Sequence, residues 1–259
     1  MRWEECSAAR LAQAAKETGV CILALGVLEK HGDHLPLGTD MYIAHGLACE
    51  AAKLEEAVVF PPFYFGQIYE ARCFPGTITL EPNLLLSLFF NVLDEIARNG
   101  FKKIIVSNQH GGNDGFLKFL AMALLAKKKD YAVYFYTQTS PERSAFIHDH
   151  MDTTLLGHAC ECETSRMLYY RPDLVDLSKC NGEVPLLHRF DHIPFLHTGL
   201  SWYAKVPEHV IGDASKATVA KGEALERMEA KLFAEFIRAV KTDTELSELQ
   251  EEFFSKTNE

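Results

Sequence analysis

Val20-Cys-Ile-Leu-Ala-Leu-Gly-Val-Leu-Glu-Lys-His-Gly-Asp-His-Leu-Pro-Leu-Gly-Thr-Asp40 begins as an unbroken apolar run and ends as a crowd of polar donors. Val20 to Gly26 has no alternation of polar and apolar residues, the pattern of a strand covered on both faces. Such strands occur in parallel sheets held between helix layers. Glu29 to Asp40 then packs carboxylates and imidazoles (Glu29, His31, Asp33, His34 and Asp40) into one loop. Hard and borderline donors delivered at the end of a buried strand are what a catalytic metal site requires.

A second delivery, Ser107-Asn-Gln-His-Gly-Gly-Asn113, follows a second apolar run, Lys103 to Val106. His110 therefore arrives at the carboxyl end of a neighbouring strand, the edge where open α/β sheets form their clefts. Glu29 and His31 are two residues apart and can point the same way on an extended backbone. Glu29, His31, Asp40 and His110 together offer two carboxylates and two imidazoles. They suffice for one tetrahedral metal or, with a bridging carboxylate, for two. Read singly, Glu29 is a surface carboxylate and Asp40 a helix N-cap, but capping does not explain their convergence at two strand ends.

Gly111 and Gly112 allow backbone to approach a ligand closely, and the helix starting near Asn113 offers N–H groups to an anion or oxyanion. Phe74-Pro-Gly-Thr77 is a β-turn by default. Gly76 and Thr77 contact substrate if that turn meets the metals. A third group is Gly157-His158-Ala-Cys-Glu-Cys-Glu163-Thr-Ser165. On a regular helix His158 and Glu163 point about 140° apart, so they converge only if His158 precedes the helix. His45, His148, His150, His188, His192, His197 and His209 lack such context and read as structural or surface residues.

Around these groups the pattern predicts helices over 7–17, 40–54, 82–99, 114–125, 157–170 and 214–240 and a short final one over 245–254, with strands at 20–26, 58–60, 103–107 and 131–137. Alternating strands and helices argue a three-layer α/β/α sandwich with a mostly parallel sheet, one domain over residues 1–259. The aperiodic stretch 179–212 is long enough to be functional. The 47% hydrophobic and 24% charged composition is that of a globular protein. Formal net charge is −10, which excludes nonspecific binding to nucleic acid or an anionic membrane. Seven scattered cysteines suit reduced thiols, and Cys160-x-Cys162 has no second pair at zinc-ribbon spacing. Without a signal-like apolar segment after Met1 or a run of about 20 apolar residues, the expectation is a cytoplasmic protein.

With these groups in hand the chain resembles the creatininase, or creatinine amidohydrolase, family. The matching pieces are EKHGDHLPLGTD at 29–40, FPGTITL at 74–80, SNQHGGN at 107–113, HACECETS at 158–165 and GDASKATVAKGEALE at 212–226. The resemblance implies the three-layer fold, a divalent metal site (zinc first, manganese or iron as alternatives) and a homo-oligomer, commonly a hexamer. It implies that Glu29, Asp40 and His110 hold one ion, and His31 and Asp40 the other. Creatininase proper has His-x-Glu where this chain has His110-Gly111-Gly112, so the resemblance implies a second ion that has lost a carboxylate and is absent, weak, or completed by water or Glu163. This places the chain in a His-Gly-Gly-Asn subgroup. The two tryptophans that enclose creatinine in the namesake have no evident counterparts, since only Trp3 and Trp202 are present.

The expected function is metal-dependent hydrolysis of a non-peptide amide C–N bond, linear or cyclic, on a small molecule. Water is activated by one or two ions, His158 is a proton donor and Glu163 a base, orienter or spare ligand. Loop amides at Gly76, Thr77, Gly111, Gly112 and Asn113 would meet the substrate or its oxyanion. Family alternatives are a formamidopyrimidine deformylase and a peptidase of cofactor maturation. Alternatives of another class are a non-catalytic small-molecule binder that keeps the fold and a metal-independent scaffold.

Overall fold

A computed structural model describes residues 1–137, 140–180 and 182–257. In chain order it contains α1 (Ala8–Thr18), β1 (Val20–Leu25), α2 (Thr39–Leu54), β2 (Val58–Val59), α3 (Pro82–Arg98), β3 (Lys103–Asn108) and α4 (Asn113–Ala123). These are followed by β4 (Ala132–Tyr136), α5 (Pro141–His150), α6 (Glu161–Tyr170), α7 (Ser201–Lys205), α8 (Val219–Thr242) and α9 (Glu245–Ser255). The sheet order is β2-β1-β3-β4, and every pairing is parallel.

β1 shows why its sequence is apolar throughout. Successive side chains leave opposite faces of a strand, and both faces are covered here. Cys21, Leu23 and Leu25 pack with Ala14 of α1, Phe89 and Leu93 of α3, and Leu117 and Leu120 of α4. Val20, Ile22 and Ala24 pack with Leu47 and Ala51 of α2 and Phe233 and Ile237 of α8. Each fully buried Phe or Leu in these layers contributes on the order of 1.5–3 kcal/mol. The three-layer α/β/α architecture read from the sequence is the one observed.

Helix boundaries differ where capping chemistry intervenes. Ser7 caps α1 and Gly19 ends it in the left-handed region. Neither Thr39 nor Asp40 caps α2: both lie inside the helix behind Gly38, and no side chain caps it. The carboxylate of Asp40 is thus left for other partners. α6 starts at Glu161, not 157, so His158 does precede the helix. The helix expected from 214 is a 3-10 turn, Ala214–Lys216, then α8 capped by Thr218. The sequence pattern did not predict α5, which buries no residue and so carries little periodicity; its signals are the Ser140 cap and Pro141 in its first turn. Stretch 179–212 is mainly turns around α7, and Asn181 within it lies outside the described residues. Among the described residues no helix is long and apolar enough to cross a membrane.

Candidate metal centre

The parallel register pairs Leu25 of β1 with Asn108 of β3, so both ligand loops leave the sheet at one level. The loop after β1 is closed by Glu29 N–H donating to Leu37 O at 3.0 Å. α2 then folds back on the strand end, where a Cβ on Gly26 would lie 2.5 Å from the backbone carbon of Asp40. Only a residue without Cβ lets the first turn of α2, and with it Asp40, sit so close. After β3, the Asn108 side chain accepts from His110 N–H at 3.2 Å and donates to His110 O at 2.8 Å, fixing the turn that aims His110.

Glu29, His31, Asp40 and His110 come together as read from the sequence, and all four are buried. The two oxygens of Asp40 face different imidazoles: Oδ1 is 3.1 Å from His31 Nε2, and Oδ2 is 3.2 Å from His110 Nδ1. Glu29 Oε1 is 2.8 Å from His110 Nδ1, and Glu163 Oε2 is 3.8 Å from His31 Nε2. Two triads result, Glu29–Asp40–His110 and His31–Asp40–Glu163, each with donor atoms within 4.8 Å of one another. Glu29, His31 and His158 form a third such set. Among the described residues the buried Glu29 Oε1 and Asp40 Oδ2 accept no well-aligned hydrogen bond despite their imidazole neighbours. Oxygens that approach nitrogens without hydrogen-bond alignment are aimed at a common point between them, and nitrogen and oxygen donors of this kind suit a divalent ion.

The outer contacts fix ring orientation. His110 Nε2 donates to Gln67 O at 3.1 Å, so Nδ1 is the nitrogen turned toward Glu29 and Asp40. His31 Nδ1 faces Glu29 O at 3.3 Å, leaving Nε2 for the Asp40 side. His34 Nε2 meets Thr164 Oγ1 at 3.0 Å and ties the loop to α6, whereas Asp33 is exposed and takes no part.

His158 and Glu163 converge because the chain between them is bent. Ala159 has φ of 56°, a left-handed conformation rare for a residue with a Cβ, and its N–H donates to Glu163 Oε2 at 2.6 Å. The His158 ring lies 4.1 Å from that of His31, and its Nε2 is 2.7 Å from Lys30 O. Burial and the neighbouring His31 push its pKa down to about 3, so it is a neutral imidazole. Burial, with the charge of Asp40, pushes Glu163 up to about 7 despite His31. For His31 burial works downward, but Asp40, Glu29 and Glu163 outweigh it and raise the pKa to about 10. The same balance of burial against carboxylates raises His110.

Two further residues enter the centre that the sequence reading did not credit. His209, read there as structural or surface, is buried, and its Nε2 donates to Glu29 Oε2 at 2.5 Å. Trp202 Nε1 donates to His209 Nδ1 at 3.0 Å, so Trp202, His209 and Glu29 form a chain. His209 also has a left-handed φ, 58°. Both residues come from the aperiodic stretch, where the histidines are spaced without pattern. Trp202, Glu29, Glu70, His110, His158 and His209 line a cavity of about 400 Å³.

The substrate-facing expectations divide. Gly111 and Gly112 also line this cavity. Asn113 is buried with both ends engaged: Oδ1 accepts from Gln67 N–H at 2.8 Å, and Nδ2 donates to Asn108 Oδ1 at 3.0 Å. It locks the turn and does not line the cavity. Gly76, with φ of 83°, packs on the Leu37 side chain, and the Thr77 hydroxyl is buried. Neither lines the cavity; from that turn Phe74 arrives instead, its ring 5.5 Å from His209.

Comparison with known proteins agrees with this arrangement. The family model described as Creatininase: Creatinine amidohydrolase matches residues 4–237. A mycofactocin precursor peptide peptidase of Mycolicibacterium smegmatis is 30% identical over 228 residues, 83% of this chain and 80% of that protein. A creatinine amidohydrolase of Pseudomonas putida is 28% identical over 190 residues, 67% and 73% of the two chains. A crystal structure of creatininase superposes with TM-score 0.79 at 23% identity, covering 94% and 98%. Creatininase structures described as Zn-Zn type and as Mn give 0.77 and 0.76, each at 23% identity, covering 93% of this chain and 98% and 99% of theirs. A match over most of the length, converging on a donor set suited to a divalent metal, identifies the chain as a member of the creatininase family of amidohydrolases.

Proposed function

We propose that the protein is a two-metal hydrolase of a small-molecule amide, linear or cyclic, with Asp40 as the bridging ligand. The observation that carries this reading is the division of the Asp40 carboxylate, one oxygen toward each imidazole. Glu29 and His110 complete one position, and His31 and Glu163 the other. Glu163 takes the place of the carboxylate missing at Gly112, in keeping with a His-Gly-Gly-Asn subgroup. Zinc is the first candidate for this N/O donor set, with manganese or iron as alternatives. A divalent ion held by these residues would supply Lewis-acid chemistry and lower the pKa of water there toward neutrality.

The chain's own residues do the rest. Glu163, raised to about 7, would take the proton released as water attacks and pass it, through His158 at the cavity wall, to the leaving nitrogen. Backbone at Gly111 and Gly112 meets the developing oxyanion. His209 and Gln67 hold Glu29 and His110 in orientation. The whole of residues 1–259 acts as one domain, a cytoplasmic homo-oligomer with hexamer as the expected size, which light scattering measures. A second reading, hydrolysis within a peptide-derived substrate, draws support from the M. smegmatis relative. It also draws support from a second cavity of about 560 Å³ that meets the first at His110, Gly111 and Glu163. The test is metal reconstitution followed by turnover on creatinine, small cyclic amides, formamidopyrimidines and short peptides. Protein that retains no divalent ion, or that turns over none of these classes when loaded, overturns the reading.

A further inference from the structure

Glu70 is a carboxylate in the cavity that the proposed chemistry does not use. It lies on a 3-10 turn, Tyr69–Ala71, placed by Gln67: the Gln67 side chain accepts from Tyr69 N–H at 2.7 Å and donates to Gly112 O at 3.0 Å. Because Gln67 O also accepts from His110, the turn is tied to a proposed ligand and its position is set before any substrate arrives. A Cβ on Gly112 would fall 2.5 Å from Glu70 Oε1 and closer still to the His110 ring. A side chain at 112 would therefore force His110 or Glu70 to shift, and the glycine leaves room for both.

What the carboxylate faces is open. Among the described residues it is in no ion pair, and Oε1 receives one long hydrogen bond, 3.4 Å from Gln67 Nε2. Glu70, Gly112 and Trp202 form the border between the inner cavity and an outer cleft of about 550 Å³. Phe116 lines that cleft, with Lys205 also present. A carboxylate on a cavity wall shared with Trp202, and opening on a cleft lined by Phe116, suits a cationic nitrogen group: its oxygens accept charge-assisted hydrogen bonds, and aromatic rings attract positive charge.

We propose that Glu70 is a specificity-determining residue that binds a protonated amine or amidine carried by the substrate on the side projecting from the scissile amide toward Trp202. The inference rests on the hydrolase reading above and names the substrate class for it: an amide with a cationic group outside the reacting bond.

The test is calorimetric titration of metal-loaded protein with benzamidinium and with its neutral isostere acetophenone. Wild type should bind benzamidinium in preference to acetophenone. Glu70→Gln should weaken the cation by about tenfold or more, as expected for loss of a charge-assisted pair, while acetophenone binding stays within about twofold. Glu70→Asp should recover part of the loss. Equal benzamidinium affinity in wild type and Glu70→Gln overturns the proposal, as does wild type that binds both probes alike. Loss of metal from Glu70→Gln would make Glu70 a support of the metal ligands and overturn it too. Metal content of the wild type, measured separately, tests the hydrolase reading, so the two can fail independently.

Discussion

Glu29 and His110 reach the centre from the ends of adjacent strands held in register, whereas Glu163 reaches it from the first turn of α6 past a left-handed Ala159. The first half inherits its geometry from a buried parallel sheet, among the least deformable parts of a protein. The second depends on one strained loop residue and on a hydrogen bond from its N–H to Glu163. Asp40 joins the two, and Gly26 lets it do so by admitting the start of α2 to the strand end. The contrast suggests that the proposed first position is the tighter one and the second the easier to lose.

Asp40→Ala should break both halves at once. Elemental analysis should find neither ion, and turnover should fall by more than about 10³-fold because both Lewis-acid positions go; stoichiometric metal in that variant would remove Asp40 from the bridging role. Glu163→Ala should separate the halves, lowering metal content from two ions to one and turnover by about 10²-fold or more. Two retained ions would show that the halves do not differ as argued. His209→Ala removes a hydrogen bond that orients Glu29, so affinity of the first ion should drop by about 10–100-fold in a competitive chelator titration. Trp202→Phe removes the donor to His209 and part of the ring that lines the cavity. It should produce a weaker version of the same defect, about fivefold for one hydrogen bond of about 1 kcal/mol.

Acidity should act on the halves unequally as well. Ligands bind metal in their deprotonated forms, so metal uptake releases protons and weakens as pH falls. Burial and Asp40 push Glu163 up to about 7, so below that pH the second position must displace a proton from Glu163 as well as the one on His31. Glu29, by contrast, is held well below its ordinary value: burial pushes it up, but the charge of His110 and hydrogen bonds from His110 and His209 outweigh that. Titration calorimetry between pH 6 and 8, a window of about one unit on either side of a group near 7, should therefore show the second ion weakening more steeply than the first. Equal slopes would contradict that difference.

The first half was legible in the sequence because it is local to strand ends. An apolar run followed by Glu-x-His, and another followed by His-Gly-Gly, place donors at one sheet edge once the strands are neighbours. Asn113 shows the limit of that reading. Its place in the motif suggested substrate contact, but its amide is engaged by Gln67 N–H and Asn108, partners 46 and 5 residues away. His209 is the converse: nothing around it in sequence marks it, yet it meets Glu29 across 180 residues.

The apolar runs and their spacing determined the three-layer sheet and the identity of the strand-end donors, since burial on both faces admits only such sequences and strand polarity dictates which end carries the loops. The tertiary structure alone decided that Asp40 divides its oxygens between two imidazoles, that Glu163 rather than a residue at 112 faces His31, and that His209, Trp202 and Glu70 belong to the cavity. These are distances between segments with no shared periodicity, and only packing sets them. The left-handed turns at Ala159 and His209, which cost conformational energy locally, persist because the surrounding contacts hold them.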